Sequence, residues 1–317
     1  MGSEPIDAKP MEAPALTPLT LNNRLAGNPG QAPKYAVTVK NNAGDDVILG
    51  DPKATRALVA LMNVHAVNGG AACHWGGPAA LAEIMASIHG FMFSTNDRPW
   101  YDAYNFVNDA GHTENGVYAL RANLGFDGVT FEDLRGFRSI ESKLTGHGES
   151  HLNPEGVLLS NGPLSSAVGQ CQGLAMADKT AGNDRVTILV LSDGASMEGE
   201  AKEAFSAIPG LAAKGRVNPF VMVLSDNQTK LSGRIPADSF DMAPSFDAMQ
   251  TLGWNVVDVE QGHDLQTVYQ AIDSAVESAR ADSSKPVLVR VKTVKGYGVK
   301  ATAESASGGH GFPLKGG

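Results

Sequence analysis

Two short segments carry oxygen-bearing side chains in a pattern suited to a hard cation. The first is Ser192-Asp193-Gly194-Ala195-Ser196-Met197-Glu198-Gly199, and the second is Ser225-Asp226-Asn227-Gln228-Thr229. Each follows an apolar run rich in β-branched residues, 186–191 in one case and 219–224 in the other, so each stands where a strand should end. Asp-Gly and Asp-Asn are turn-forming pairs, and either alone reads as a turn. Presented together by successive strands, they are half of a metal site. Asp193, the Asn227 side-chain oxygen and a backbone carbonyl near Thr229 would supply the protein's share of an octahedral oxygen set for Mg²⁺ (or Ca²⁺ or Mn²⁺), with phosphate oxygens and water supplying the rest.

Such a site needs a sheet to hold it. The runs at 186–191, 219–224, 254–259 and 286–291 alternate with amphipathic helical stretches. Near-continuous apolar strands alternating with helices imply an α/β fold, a single doubly wound parallel sheet with helices on both faces. Ligands of such sheets lie outside the carboxyl ends of the strands, where both segments fall. Helical spacing over 52–67 and again over 78–92 brackets the loop Cys73-His74-Trp75-Gly76-Gly77. Residues 1–50, rich in Pro, Gly and Asn, read as an extended arm, and 51–317 as one α/β domain.

Composition removes several classes of function. A net charge of −9 with no basic run argues against a nucleic-acid backbone or an anionic membrane as partner. Two cysteines, Cys73 and Cys171, make neither a disulfide framework nor a zinc site, and Cys73 reads as a small apolar filler. No stretch approaches the ~20 apolar residues of a membrane span, and the N-terminus lacks the charged start and apolar run of a signal peptide, so the cytoplasm is the expected location. The 36 glycines exceed the usual ~7% of a chain and point to loops that approach a ligand closely.

The order of the motifs resembles the thiamine-diphosphate enzymes, most closely the transketolase family. Asp193-Gly194, Glu198-Gly199, Glu203-Ala204 and Asp226-Asn227 stand in the places of the family's cofactor signature. Asn161-Gly162-Pro163-Leu164 and the helix after it look like the family's Thr-Gly-Pro-Leu-Gly-Gln-Gly segment. Ala110-Gly111-His112, Phe131-Glu132-Asp133-Leu134, Phe137-Arg138 and Thr145-Gly146-His147 follow in family order, and Lys292-Thr293 and Gly309-His310-Gly311-Phe312-Pro313-Leu314 close the series. Some positions depart from the pattern. Ser192 replaces a glycine, Ser165-Ser166-Ala167 replaces Gly-Gln-Gly, and Cys73-His74-Trp75-Gly76 stands for Gly-His-Pro-Gly. The interval of 34 residues from Asp193 to Asn227 is also longer, with the extra residues expected in a loop around 209–216.

The resemblance implies the thiamine-diphosphate-binding fold from about residue 50 onward, with thiamine diphosphate and a divalent cation as cofactors. It implies Asp193, Asn227 and the Thr229 carbonyl as metal ligands. Gly162, Pro163, Leu164, Gly194, Glu198 and His112 would hold the cofactor, and His74, His112, His147 and His310 would meet the donor, with His310 also near the diphosphate. Histidines suit proton transfer near neutral pH. His263, ahead of a helix, reads as capping or structural, and His65 and His89 as packed or surface residues. The implied reaction is transfer of a ketol unit from a ketose or ketose phosphate to an aldehyde. Lys295-Gly296-Tyr297-Gly298 is similar to a stretch of single-chain pyruvate dehydrogenase components, which keeps a 2-oxo acid decarboxylase or dehydrogenase subunit as the alternative. In the family a pyrimidine-binding domain completes the site. The sequence stops where that domain would begin, so the expectation is an α subunit working with a separate β subunit, as an α₂β₂ assembly with Glu198 and Glu203 near the interface.

Overall fold

In chain order the strands are β1 (Ala36–Lys40), β2 (Asp46–Gly50), β3 (Cys73–His74), β4 (Tyr104–Asn108), β5 (Val186–Ser192), β6 (Phe220–Asp226), β7 (Asn255–Val259), β8 (Val287–Lys292) and β9 (Gly311–Phe312). The longer helices are α1 (Pro52–Asn68), α2 (Gly76–Phe93), α3 (Glu114–Leu124), α4 (Ser166–Ala181), α5 (Gly199–Ala212) and α6 (Leu265–Ala281). The computed structural model describes residues 24–95, 97–126 and 128–312.

Strands β4 to β8 form one five-stranded parallel sheet in the order β4-β5-β6-β8-β7. Alternation along each strand divides its side chains between two cores. Ile188 and Val190 of β5 join Val221 and Val223 of β6 beneath α2 and α6, while Leu189 and Leu191 join Met222 and Leu224 beneath α4 and α5. Both faces are therefore covered, and each fully buried aliphatic side chain is worth about 1.5–3 kcal/mol of transfer free energy. The parallel register sets Ser192 beside Ser225, so β5 and β6 end level and release Asp193 and Asn227 at the same edge.

Three features differ from the sequence expectation. Within the stretch read as an extended arm, 36–50 forms the antiparallel hairpin β1–β2, with Val39 and Leu49 buried against Tyr269 of α6; 1–23 lie outside the described residues. Strand β4 went unrecognised. Finally, α5 continues through Pro209 to Ala212, where a loop was expected. A proline inside a helix deprives the carbonyl four residues earlier of its donor; here that carbonyl, Phe205, accepts from the Trp254 indole Nε1 at 2.8 Å. Among the described residues no helix is long and apolar enough to cross a membrane.

Candidate active site

The corner between β5 and β6 is built around Asp193, which is 1% exposed. Its Oδ1 accepts from the Gly194 N–H at 2.8 Å, and its Oδ2 accepts from the N–H groups of Asn227, at 2.8 Å, and Gln228. One carboxylate thereby ties the two strand ends together. Asp226, one residue before Asn227, serves a different purpose: Arg290, at 2.7 Å, and Lys292 neutralise it. Asp193 has only backbone donors, and burial, aided by the charge on Asp226, pushes its carboxyl up to about 7.

A buried carboxylate of this kind fits a bound cation. Asn227 Oδ1 accepts from the Thr229 N–H at 3.1 Å, and Thr229 Oγ1 accepts from Arg234 at 2.7 Å. Arg234 also donates to the Ser305 carbonyl at 2.9 Å, which clamps the loop in place. Asp193, Asn227 and the Thr229 carbonyl make an all-oxygen donor set of the kind hard cations prefer. Asp193 Oδ1 and Asn227 Oδ1, each accepting one of these N–H groups, retain a further lone pair. Among the described residues no cluster of three or more His, Cys, Asp or Glu offers a second kind of metal centre.

Facing this corner are three histidines. His74 and Gly311 pair across β3 and β9, and the Gly76 N–H donates to Gly309 at 2.9 Å, so the chain around His310 is zipped onto the loop carrying His74. Asn63 and Asn115 both donate to the His74 carbonyl, at 2.8 and 2.9 Å. The ring centroids of His74, His112 and His310 form a triangle with sides of 5.1 to 5.2 Å. Burial holds His74 down to about 4 and both His112 and His310 to about 3, with neighbouring positive groups including Lys295 adding to the effect. The three rings are therefore neutral at neutral pH, rather than poised to titrate there. Among the described residues His74 Nδ1 and His310 Nδ1 are buried without a hydrogen-bond partner, an expensive condition unless a ligand meets them.

His147 stands apart from the triangle, close to Gly111 and Gly162. Its pKa is lowered, first by burial and then by Arg138. Asn161 holds this wall: it accepts from the Gly148 N–H at 2.7 Å and donates to the Asn108 carbonyl at 2.9 Å. Gly162 follows at φ 137°, a conformation that side-chain-bearing residues rarely adopt.

These parts enclose a cavity of about 570 Å³, lined by His74, His112, His147, His310, Gly162, Leu164, Asp193, Gly194, Glu198, Asn227 and Thr229. Of the residues singled out from sequence, Pro163 is exposed and outside the lining. Glu198 is exposed at the rim and Glu203 lies on the outer surface of α5. A larger hollow, about 770 Å³, is lined by Arg56, Glu83, His263 and Tyr297. Its buried polar groups Arg56, Glu83 and His263 are joined to one another, so the smaller cavity is the chemical site.

Two contributors were missed from sequence. Asp109, fully buried, accepts from the Ser165 N–H at 3.0 Å and the Ala167 N–H at 3.3 Å, and so fixes the start of α4 beside the cavity; it follows the unrecognised strand β4. Lys295 lines the cavity and donates to the Lys230 carbonyl at 2.9 Å. Burial lowers its pKa to about 8, against the pull of Asp193. It was visible only as part of the Lys-Gly-Tyr-Gly segment.

A family model described as the thiamine diphosphate binding domain of transketolase matches residues 52–317. A transketolase 10 from Craterostigma plantagineum is 34% identical over 70% of this chain and 32% of its own length. The Geobacillus stearothermophilus transketolase is 32% identical over 80% of this chain and 38% of its own. Among solved structures, a Pichia stipitis transketolase variant in complex with fructose 6-phosphate aligns with a TM-score of 0.66 at 28% identity, covering 83% of this chain and 38% of that one. The Campylobacter jejuni transketolase aligns at 0.65 with 26% identity, covering 83% and 40%. The chain thus spans about a third to two fifths of the length of these relatives.

Proposed function

Since this chain belongs to the transketolase family through its thiamine diphosphate-binding domain, we propose that it is the cofactor-diphosphate-binding subunit of a two-component, transketolase-like transferase. The observation that carries this reading is the convergence, on one cavity, of the His74–His112–His310 triangle and the Asp193–Asn227 corner. Asp193, Asn227 and the Thr229 carbonyl would hold Mg²⁺, or Ca²⁺ or Mn²⁺ in its place, and Gly162, Leu164, Gly194 and His112 would flank the cofactor. When bound, thiamine diphosphate supplies the carbon nucleophile and electron sink for cleavage beside the donor carbonyl.

The chain's own residues do the rest. His74 and His310 present their unpartnered Nδ1 atoms to donor oxygens, and as neutral imidazoles they can accept or donate a proton there without first changing charge. His147, beside Gly111 and Gly162, lines the same cavity and would meet another oxygen of the donor. Leu164 and Met197 give the cavity apolar walls that limit water.

The β subunit, carrying the pyrimidine-binding domain, is part of the proposal. Support comes from the rim, where Leu164 and Leu231 line the cavity yet remain 38% and 67% exposed, an arrangement a covering partner would bury. Glu203 joins Glu200 and Gln170 around a groove between α4 and α5 suited to self-association of this subunit in an α₂β₂ assembly. Ketol transfer from a ketose phosphate to an aldehyde, measured with thiamine diphosphate and Mg²⁺, tests the reading. We expect no turnover by the purified chain and turnover once its co-purifying partner is added. Substantial activity of the chain alone would overturn the two-component assignment, and carbon dioxide release from pyruvate would replace ketol transfer by 2-oxo acid chemistry.

A further inference from the structure

Glu114 is a buried acid that does not line the cavity. It stands two residues after His112, as the first residue of α3, and is 4% exposed. None of the ion pairs among the described residues includes it. The guanidinium of Arg121, on the same helix, donates instead to His89 Nε2 at 3.2 Å and to the Gly156 carbonyl at 2.6 Å. The partners of Glu114 are amides. Its Oε2 accepts from Asn108 Nδ2 at 3.1 Å and from Asn161 Nδ2 at 3.2 Å. Burial pushes its carboxyl above the usual range, against the pull of Arg121 and the two amides. A buried carboxyl is costly to desolvate, and this one joins three segments of chain: the end of β4, the start of α3 and the residues leading into Gly162.

Asn161 is the centre of this junction. Its Nδ2 also donates to the Asn108 carbonyl at 2.9 Å, and its Oδ1 accepts from the Gly148 N–H at 2.7 Å, so both ends of the amide are used. The side chain lies against two glycines that leave it room. A Cβ on Gly111 would fall 2.4 Å from Asn161 Oδ1 and 2.5 Å from His147 Cδ2, and one on Gly148 would fall 2.9 Å from Asn161 Nδ2. Gly111 precedes His112, Gly148 follows His147, and Gly162 follows Asn161 itself. One amide therefore meets the backbone beside three groups of the cavity wall. Removing the Glu114 oxygen would take an acceptor from both Asn108 and Asn161 and leave the Asn108 carbonyl as the remaining described acceptor of Asn161 Nδ2.

We propose that Glu114 is a positioning residue of this enzyme: by holding the Asn108 and Asn161 amides, its carboxyl fixes His147 and Gly162 relative to His112. The inference rests on the cavity being the thiamine diphosphate site. Glu114 acts through Asn161, and a displacement of about 1 Å at groups that orient reactants can cost ~10²-fold in rate.

The enzyme as purified with its partner is compared as wild type, Glu114→Gln, Glu114→Met, Asn161→Ala and the double variant Glu114→Met with Asn161→Ala. Asn105→Ala is the control: Asn105 is also a buried amide of β4, but it donates to Asp178 at 2.6 Å, away from the cavity. Each is checked by thermal melting, by calorimetry for thiamine diphosphate with Mg²⁺, and by kcat and KM with fructose 6-phosphate as donor. Glu114→Gln keeps an oxygen that can accept from both amides, whereas Glu114→Met keeps the bulk and removes it. Glu114→Met and Asn161→Ala should each lose about tenfold or more in kcat/KM, and the double variant little more than either alone. Glu114→Gln should stay within about threefold of wild type, and Asn105→Ala should melt earlier at unchanged kcat/KM. Wild-type kcat/KM in a folded Glu114→Met, equal losses in Glu114→Gln and Glu114→Met, or losses that multiply in the double variant would each overturn the positioning role. Should Glu114→Met not fold, Asn161→Ala decides, and wild-type kcat/KM there would overturn the role because the route runs through Asn161. Failure of the wild type to bind thiamine diphosphate or to turn over the donor would instead bring down the reading of the cavity itself.

Discussion

His89 is fully buried and His74 half-buried, and their surroundings have opposite characters. His89 donates from Nδ1 to the Met85 carbonyl at 2.9 Å and accepts at Nε2 from Arg121 at 3.2 Å. His263 is equally complete: Nδ1 meets Glu83 at 3.1 Å, Nε2 accepts the Val294 N–H at 2.9 Å, and the ring stacks on Tyr297 at 3.6 Å. His74 and His310 each leave a buried Nδ1 unmet. The charged groups divide in the same way. Arg56, Arg290 and Lys292 are in ion pairs, while Lys295 is in none among the described residues. Satisfied networks hold the domain together, whereas the unmet nitrogens of His74 and His310 both face one cavity.

The contrast breaks most visibly if an unmet histidine is removed. His310→Ala should lower turnover by about 10²–10⁴, while thiamine diphosphate affinity falls much less because the metal corner remains. Parallel measurement of kcat and cofactor Kd in the assembled enzyme decides; equal rates for variant and wild type with the native donor would remove His310 from the chemistry.

Changing a satisfied histidine should give a smaller effect, on stability rather than rate. His89→Gln should cost about 1–3 kcal/mol near pH 7 through lost pairing with Arg121. It should also sharpen the comparison through pH. Burial, with the Arg121 charge, depresses His89 from 6.5 to about 3 in the folded chain. The unfolded state therefore binds more protons between those values, so this histidine's stabilisation is complete above 6.5 and is lost as pH falls toward 3. Denaturant unfolding from pH 7 to 4 should show a shallower acid limb in His89→Gln than in wild type. Parallel limbs would mean that His89 does not carry the acid sensitivity.

The sheet was legible where both faces of a strand are apolar. The runs that became β5, β6, β7 and β8 announced a covered parallel sheet, and the acids after β5 and β6 followed from it. Strand β4 was hidden because Asn105 and Asn108 interrupt its apolar run. In the fold Asn105 donates to Asp178 at 2.6 Å, a partner that no local window contains, and Asn108 donates to Thr113 at 3.1 Å. Asp109 went unnoticed for the same reason. The hairpin at 36–50 depends on Tyr269, more than two hundred residues away, and the helix through Pro209 depends on Trp254. Residue types marked His74, His112, His147 and His310 as candidates, but only three-dimensional packing separated the triangle from His147 and set Lys295 beside it.

The central claim is that the Asp193–Asn227 corner holds thiamine diphosphate through a divalent ion. Titration calorimetry of thiamine diphosphate into the assembled enzyme, wild type and Asp193→Ala, with and without Mg²⁺, tests it directly. Wild type should bind only with the ion present. Asp193→Ala, having lost the one carboxylate that can offset the ion's charge in this buried corner, should show no metal-dependent binding. Undiminished metal-dependent affinity in Asp193→Ala would contradict the account.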